Sequence, residues 1–238
     1  METRQLYDPE SSTYSYLVWD RESHEAALID PVQEQLNRDI NLVRELDLHL
    51  KYTLETHVHA DHVTGSGVLR KTFNSIVMVH ENSRAKCADV QIKGGDFIPL
   101  GTEKIHVLYT PGHTDSDVSY LIPGAVFTGD ALLIRDCGRT DFQSGDAGML
   151  YDSITQQLFT LADDTIVYPG HDYGGHSFSS IIEEKLHNPR IGKDTNRDDF
   201  IRIMNSLKLP PPQRIHEALP SNLRCGTHGL DLAFSANY

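Results

Sequence analysis

Cysteine is scarce in this chain, with Cys87, Cys137 and Cys225 the only three in 238 residues. They are widely spaced, odd in number and form no CxxC pair. Neither a disulfide framework nor a cysteine zinc site is expected, and a reducing compartment fits best. Positive charge is also short. Lys and Arg number 21 against 34 Asp and Glu, a formal net charge of −13, which argues against nucleic acid or an anionic membrane as a partner. A local basic pocket stays compatible with that balance. No apolar run approaches the length of a membrane span. Residues 1–8 have neither an apolar signal core nor an arginine-rich transit character, so the cytoplasm is the expected compartment. Internal repeats, low-complexity blocks and long linkers are missing too. What is left is a globular composition, 39% hydrophobic and 23% charged, at a length that suits one large domain or one domain with a small appendage.

Histidine is the residue in surplus. His57, His59 and His62, with Asp61 among them, occupy six consecutive positions. The preceding HLKYTLE (49–55) alternates and carries aromatic and β-branched residues, so it reads as a strand, and the small-residue segment 63–67 leads toward a helix. On extended backbone His57 and His59 point the same way, and the turn beyond them can bring Asp61 and His62 in from the opposite side. Imidazoles and a carboxylate converging from two sides make a site for one or two transition-metal ions. Solvated loop histidines are the bland alternative.

Three further junctions repeat the theme. Residues 107–110 run into Pro111-Gly112-His113, residues 124–128 into Gly129-Asp130, and residues 165–168 into Pro169-Gly170-His171. An apolar strand ending in Gly and then His or Asp places a ligand at a sheet rim. His57, His59, Asp61, His62, His113, Asp130 and His171 are seven potential ligands, enough for two ions about 3.5 Å apart in a hydrolase arrangement. The smaller set His57, His113 and Asp130 is a two-histidine, one-carboxylate face with open positions, which suits non-haem Fe(II) and O2. Spacing leaves both open.

Strands are expected at residues 14–19, 25–30, 49–55, 75–79, 96–98, 104–109, 118–122, 125–128 and 166–168. Leu36, Ile40, Val43 and Leu46 recur at helical spacing, as do Leu150, Ile154, Leu158 and Leu161. Helices are also expected at 67–73 and briefly near Cys87. From Phe178 onward the pattern is helical. Phe200, Ile203, Met204 and Leu207 share a face behind a Thr195–Asp198 capping box, Pro210-Pro211-Pro212 stops it, and the tail after Pro220 reads as irregular. Two sheets between helices fit this order, and so does a single doubly wound sheet.

THVHADH, TPGHT, FTGD and YPGHD together resemble the metallo-β-lactamase superfamily, whose fold is an αββα sandwich of two mixed sheets flanked by helices. Within it, GDALLIRDCGRTDFQSG (129–145) is similar to the persulfide dioxygenases, the ETHE1-like proteins. So are YPGHDY (168–173), NPR (188–190), LKLP (207–210) and LRCG (223–226). The likeness runs from about residue 14 to 226 and implies a single domain over 1–238, with a short helical C-terminal extension from about 178. That family oxidises glutathione persulfide with O2 to sulfite and glutathione at one Fe(II) per chain.

Carried over by position, the ligands are His57, His113 and Asp130. His59, Asp61, His62 and His171 then orient ligands or hold water, and Tyr173 reaches toward them with its hydroxyl, a core tyrosine being the rival role. Arg139, Arg190 and Arg224 are candidates for the glutathione carboxylates. Arg139 equally suits holding the loop behind Asp130, and surface pairing competes for the other two. Cys137 is expected as a buried thiol. The eight remaining histidines, His24, His80, His176 and His228 among them, lack ligand spacing, although His176 stands five residues after His171. Residues 227–234 have no family counterpart, and no second domain follows, so a fused sulfur transferase is not expected. A homodimer is left open. The rival functions are a dinuclear thioesterase resembling glyoxalase II, using all seven ligands on a glutathione thioester, and a non-enzymatic metal or persulfide sensor.

Overall fold

Strands whose two faces are both apolar must be covered on both sides, and that requirement builds this molecule. The computed structural model describes residues 1–227; His228 and the tail beyond it lie outside the described residues. The first sheet runs in sequence order, from β1 (Glu2–Asp8), β2 (Thr13–Trp19) and β3 (Glu25–Ile29) through β4 (His49–Leu54) and β5 (Ile76–His80) to β6 (Val90–Ile92). Helices α1 (Leu36–Glu45) and α2 (Ser66–Phe73) are its crossovers. The second sheet is also in sequence order: β7 (Phe97–Leu100), β8 (Glu103–Tyr109), β9 (Val118–Ile122), β10 (Ala125–Gly129), β11 (Ile166–Pro169) and β12 (Ser179–Ser180). Between and beyond these stand α3 (Ala147–Ser153), α4 (Ile181–His187), α5 (Arg197–Ser206) and α6 (Ile215–Asn222). Both sheets mix antiparallel and parallel pairs; the β3–β4–β5–β6 pairs and the β10–β11 pair are parallel. The doubly wound alternative is thereby excluded.

Side-chain parity assigns the layers. Tyr16, Val18, Ala27 and Ile29 point inward against Ile105, Val107, Tyr120 and Phe127 of the facing sheet. Their neighbours Leu17, Ala26 and Leu28 point outward onto Val43 of α1 and Leu69 of α2. Parity breaks once. Leu50 faces outward and Tyr52 inward although they are two residues apart, because Lys51 is a bulge: Ala26 pairs with Leu50 and the next residue, Ala27, with Tyr52. On the far side Val126 and Val167 pack against Leu150, Ile154, Leu158, Ile181, Phe200 and Met204, so α3, α4 and α5 form the outer layer.

Several expectations fail for identifiable reasons. β1 escaped notice because ETRQLYD is a mostly polar edge strand, and β6 and β12 are too short for a periodic signal. No helix forms at Cys87, only a short 3-10 turn at Glu81–Ser83. The cap of α5 is Asn196, whose side chain accepts from the Asp199 N–H at 2.9 Å, in place of the Thr195–Asp198 box. Pro220 lies inside α6, which runs on to Asn222 where an irregular tail was expected to begin. Cysteine brings the largest correction. Cys87 and Cys225 form a disulfide across 138 residues of sequence, and Cys137 alone is free and buried. The pair meets only through the tertiary fold, so spacing gave no sign of it. No helix among the described residues is long and apolar enough to cross a membrane.

The position of Phe200, fully buried and tilted against Tyr151, makes α5 part of the core. Phe200→Ala is expected to cost about 3–5 kcal/mol in urea unfolding, within one cooperative transition. A separate early transition would mean that the C-terminal helices fold on their own.

Candidate metal centre

Four strand ends bring the histidines and carboxylates to one rim. His57 follows β4, His113 follows β8, Asp130 follows β10 and His171 follows β11. Two sheets must come together for this, and Gly129 permits it. Its φ is +50°, and a Cβ there would sit 2.6 Å from the Thr56 hydroxyl, so only glycine lets the end of β10 abut the end of β4.

The donor atoms of His57, His113 and Asp130 lie within 4.8 Å of one another, a span that one ion with ligand bonds of about 2.0–2.2 Å can draw together. The His57 and His113 rings are perpendicular, with centroids 4.9 Å apart. His113 Nε2 stands 3.7 Å from Asp130 Oδ2, while its Nδ1 faces the Arg139 carbonyl at 2.7 Å. That contact fixes the ring with Nε2 turned to the centre. Burial, with the neighbouring His59 and His113 rings, holds the His57 pKa well below the usual histidine value. A neutral imidazole is what a metal requires.

His171 is engaged differently. Its Nδ1 meets Asp130 Oδ1 at 2.7 Å and its Nε2 meets Asp61 Oδ2 at 3.1 Å. Burial opposes its protonation, but the Asp130 and Asp61 carboxylates outweigh burial and hold its pKa well above the usual value. Both nitrogens of His171 thus face carboxylates, unlike those of His57 and His113. Asp61 Oδ2 also takes Thr13 Oγ1 at 3.0 Å and His62 Nδ1 at 2.8 Å. His59 Nε2 lies 3.1 Å from Asp30 Oδ1 and 3.4 Å from Glu55 Oε2. His59 Nδ1 and His62 Nε2 are buried with no hydrogen-bond partner.

Among the other candidates, Arg139, Arg190 and Tyr173 line a cavity of about 450 Å³ that reaches His113, Asp130 and His171. Tyr173 is no core residue. It is 75% exposed, its ring parallel to that of His171 with centroids 6.0 Å apart. Arg224 is not brought to this cavity; it sits exposed on the turn after α6. His176 and His24 are exposed, while His80 is buried and stacked on Tyr109.

Sequence reasoning missed the polar groups that hold the histidine loop. Asp30, 1% exposed, accepts from the Thr56 N–H at 2.7 Å, the Thr56 hydroxyl at 2.8 Å and His59. Glu55 accepts from the Thr64 and Ser66 hydroxyls. Gln143 donates to the Val58 carbonyl at 2.6 Å, and Asn222 donates to the His59 and His62 carbonyls at 2.9 and 2.8 Å. Asp30 closing a strand, and Glu55 just before the motif, were signals a reader could have weighed. Asn222, 160 residues from His62, offered none.

The family model that matches, the metallo-beta-lactamase superfamily, spans residues 8–171, and it is the class that the two sheets and the rim of histidines define. Human "Persulfide dioxygenase ETHE1, mitochondrial" is 46% identical over 225 residues, 94% of this chain and 88% of that protein. The crystal structure of ETHE1 from Myxococcus xanthus matches with a TM-score of 0.93 and 54% identity, covering 95% of this chain and 100% of the other. A cytoplasmic hydroxyacylglutathione hydrolase of Arabidopsis thaliana is 32% identical over 220 residues, 88% of this chain and 82% of that protein. The chain belongs to the persulfide dioxygenase family of the metallo-β-lactamase superfamily, and is an oxidoreductase enzyme rather than a hydrolase of the glyoxalase II kind.

The Asp30 contacts generate a test of the loop's foundation. Asp30→Ala leaves a buried, charged His59 short of its nearest partner, so it is expected to cost about 3–5 kcal/mol in urea unfolding. The pKa of His59 is held well above the usual value, burial being outweighed by the Asp30 and Glu55 carboxylates. The loss should therefore be fully present below about pH 6.5 and shrink only as pH rises through the higher folded value. An unchanged unfolding midpoint at pH 6 would contradict it.

Proposed function

We propose that this protein oxidises glutathione persulfide with O2, giving sulfite and glutathione, at a single Fe(II) held by His57, His113 and Asp130. The observation that carries the reading is the unequal engagement of the candidate ligands. His57, His113 and Asp130 converge with their donor atoms clustered, whereas both nitrogens of His171 are spent on carboxylates. Fe(II) in such a two-histidine, one-carboxylate set supplies open coordination positions suited to a soft sulfur anion and to O2.

The cavity beside the centre has the character the substrate needs. Leu133, Phe142, Leu209 and Pro210 give it apolar walls, and Arg139 and Arg190 bring two guanidinium groups to an otherwise acidic protein. Arg139 has most of its donors committed. It pairs with Asp141 at 2.7 and 2.8 Å, donates to the carbonyls of Pro210 and Leu209, and stacks over Phe142. Its own carbonyl faces His113, so we assign Arg139 to holding the loop behind the centre ahead of direct contact with glutathione. Arg190 pairs with Asp136 at 2.6 Å and donates to the Cys137 carbonyl at 3.1 Å, and stands at the same wall. The Cys137 thiol there is pushed up to about 12 by burial; it stays protonated and does not compete for the persulfide by exchange. Around the centre, His171 holds a proton between Asp130 and Asp61, which keeps Asp130 ionised and oriented.

One observation favours a second ion. His59 Nδ1 and His62 Nε2 have no hydrogen-bond partner, and His59, Asp61 and His62 form another compact group, in which an ion would have to displace the His59 proton. Metal counting separates the two cases. The compartment we propose is the cytoplasm, where disulfides that persist are usually redox-active; the Cys87–Cys225 bond is then exposed to exchange with cellular thiols.

Elemental analysis of anaerobically purified protein is expected to find one iron per chain. Asp130→Ala should lose iron and activity together, while His171→Ala keeps substantial iron and loses about 10–100-fold in activity. Two metals per wild-type chain would restore the dinuclear arrangement.

In an oxygen electrode the iron form should consume about one O2 per sulfite formed, as two inserted oxygens require in the non-haem Fe(II) oxygenase class. It should be silent with plain glutathione and at most weak on S-lactoylglutathione. Thioester cleavage by the zinc form, without oxygen uptake by the iron form, would overturn the proposal.

For Arg139→Gln the loop-holding role predicts lower iron content and kcat with little change in KM. A folded, fully iron-loaded variant with a raised KM would instead place Arg139 on the substrate.

A further inference from the structure

The backbone of the histidine loop is held from outside by carboxamides, and one of them comes from the far end of the chain. Asn222, the last residue of α6, is 6% exposed. Its Nδ2 donates to the carbonyls of His59 and His62 at 2.9 and 2.8 Å, and its Oδ1 accepts from the Thr64 N–H at 2.9 Å. All four of the side chain's best hydrogen-bonding directions bar one are used on residues 59–64. Asn222 thus ties both ends of residues 59–64 together, in the turn between β4 and α2 that Asp30, Glu55 and Gln143 hold from its other sides.

Ala218 of α6 is fully buried, yet apolar packing is not all that keeps Asn222 in place. Among the described residues no residue of α6 joins any of the three apolar clusters. The helix is tied down by the Arg214–Glu34 ion pair at 2.7 Å, by the Gly67 N–H donating to the Cys225 carbonyl at 2.9 Å, and by the Cys87–Cys225 disulfide three residues past Asn222. Gly226 seals the contact: its φ is +71°, and a Cβ there would lie 1.9 Å from the Thr64 carbonyl oxygen. Asn222 and Cys225 also share with His57 and His59 the walls of a cavity of about 10 Å³. The bond and the ligand loop are therefore immediate neighbours.

We propose that Asn222 is a positioning residue for the metal centre, and that the Cys87–Cys225 disulfide is the clasp that holds it against the loop, so that metal retention depends on the redox state of that bond. The inference rests on the metal assignment above. A dithiol supplies the chemistry of release: its two thiols are oxidised to a disulfide, and the Cys87–Cys225 bond takes up the two electrons and two protons to become two thiols. Cys87 is half-buried and Cys225 buried, so attack is directed to the Cys87 sulfur with Cys225 leaving.

The test uses the full chain loaded anaerobically with Fe(II), with two readouts: release of iron to ferrozine, and hydrogen exchange of the amides of residues 57–64. Asn222→Ala is expected to release iron about 10–100-fold faster, the range seen when groups behind metal ligands are removed, with faster exchange of the loop and KM little changed. Cys87→Ser, which leaves Asn222 intact, should move both readouts in the same direction. Dithiothreitol on the wild type should copy Cys87→Ser and have no further effect on that variant. If Asn222→Ala fails to fold, Cys87→Ser and the dithiothreitol arm decide alone. Release and exchange unchanged in folded variants, whatever their melting temperature, would overturn the clasp. A wild-type chain that binds no iron yet shows the exchange differences would remove the metal assignment and leave the clasp standing.

Discussion

Asp30 sits at the end of β3 in a left-handed conformation, with φ of +49°, and its carboxylate is the point from which the site is built. It accepts both the amide and the hydroxyl of Thr56 and the Nε2 of His59. Thr56 in turn touches the second sheet: its carbonyl accepts from the Val118 N–H at 2.9 Å, and its hydroxyl abuts Gly129. The neighbouring Glu55 carbonyl accepts from the Tyr120 hydroxyl at 2.8 Å. One buried carboxylate therefore fixes where β4 ends, how the two sheets meet and which way His57 and His59 leave the strand. A buried charge tolerates this role only when its lone pairs are taken, and three of them are.

The centre carries its electrostatics in nested pairs. Asp130, Asp61, Asp30 and Glu55 are carboxylates at or below the protein surface, set against His171, His62 and His59. Burial pushes against Asp61 and Asp130, yet the facing imidazoles hold both well below the ordinary carboxylate range. They therefore stay ionised at any physiological pH. His57 has no such carboxylate contact and is kept neutral by burial. The result is one neutral imidazole beside one ionised carboxylate, with the remaining histidines employed in fixing that arrangement. The net charge of −13 says nothing about this; the local pairing does.

The loops behind the centre show how little of it is self-supporting. The block at residues 129–145 turns through non-glycine left-handed conformations at Arg135, Gln143 and Ser144, held by bonds to distant segments. Arg135 is pinned by Glu184 of α4 through its N–H at 2.9 Å and its guanidinium, Arg139 by the carbonyls of residues 209 and 210, and Gln143 by Val58. Such backbone costs about 1–3 kcal/mol per residue and persists where the surroundings over-determine it. The C-terminal helices thus form the support of the metal loops as well as the outer layer of the sandwich.

Sequence by itself determined the repeating strand-then-ligand pattern, and with it the seven candidate ligands and most strands of the two sheets. Those signals are local: a period of two residues, a glycine, a histidine. It also carried the family likeness, because the block at 129–145 is a contiguous string. Tertiary structure decided what locality cannot encode. The bulge at Lys51 re-aims β4 without any mark in the alternation of HLKYTL. Asp30, Gln143 and Asn222 look like ordinary polar residues until the fold brings them to backbone groups up to 163 positions away. Arg224 stood in a matching segment and still ended on the outside, since the turn after α6 points its side chain to solvent. Cys87 and Cys225, unremarkable at a separation of 138 residues, became a covalent pair for the same reason: contact between distant residues is a property of the packed sheets and helices, and no spacing along the chain announces it.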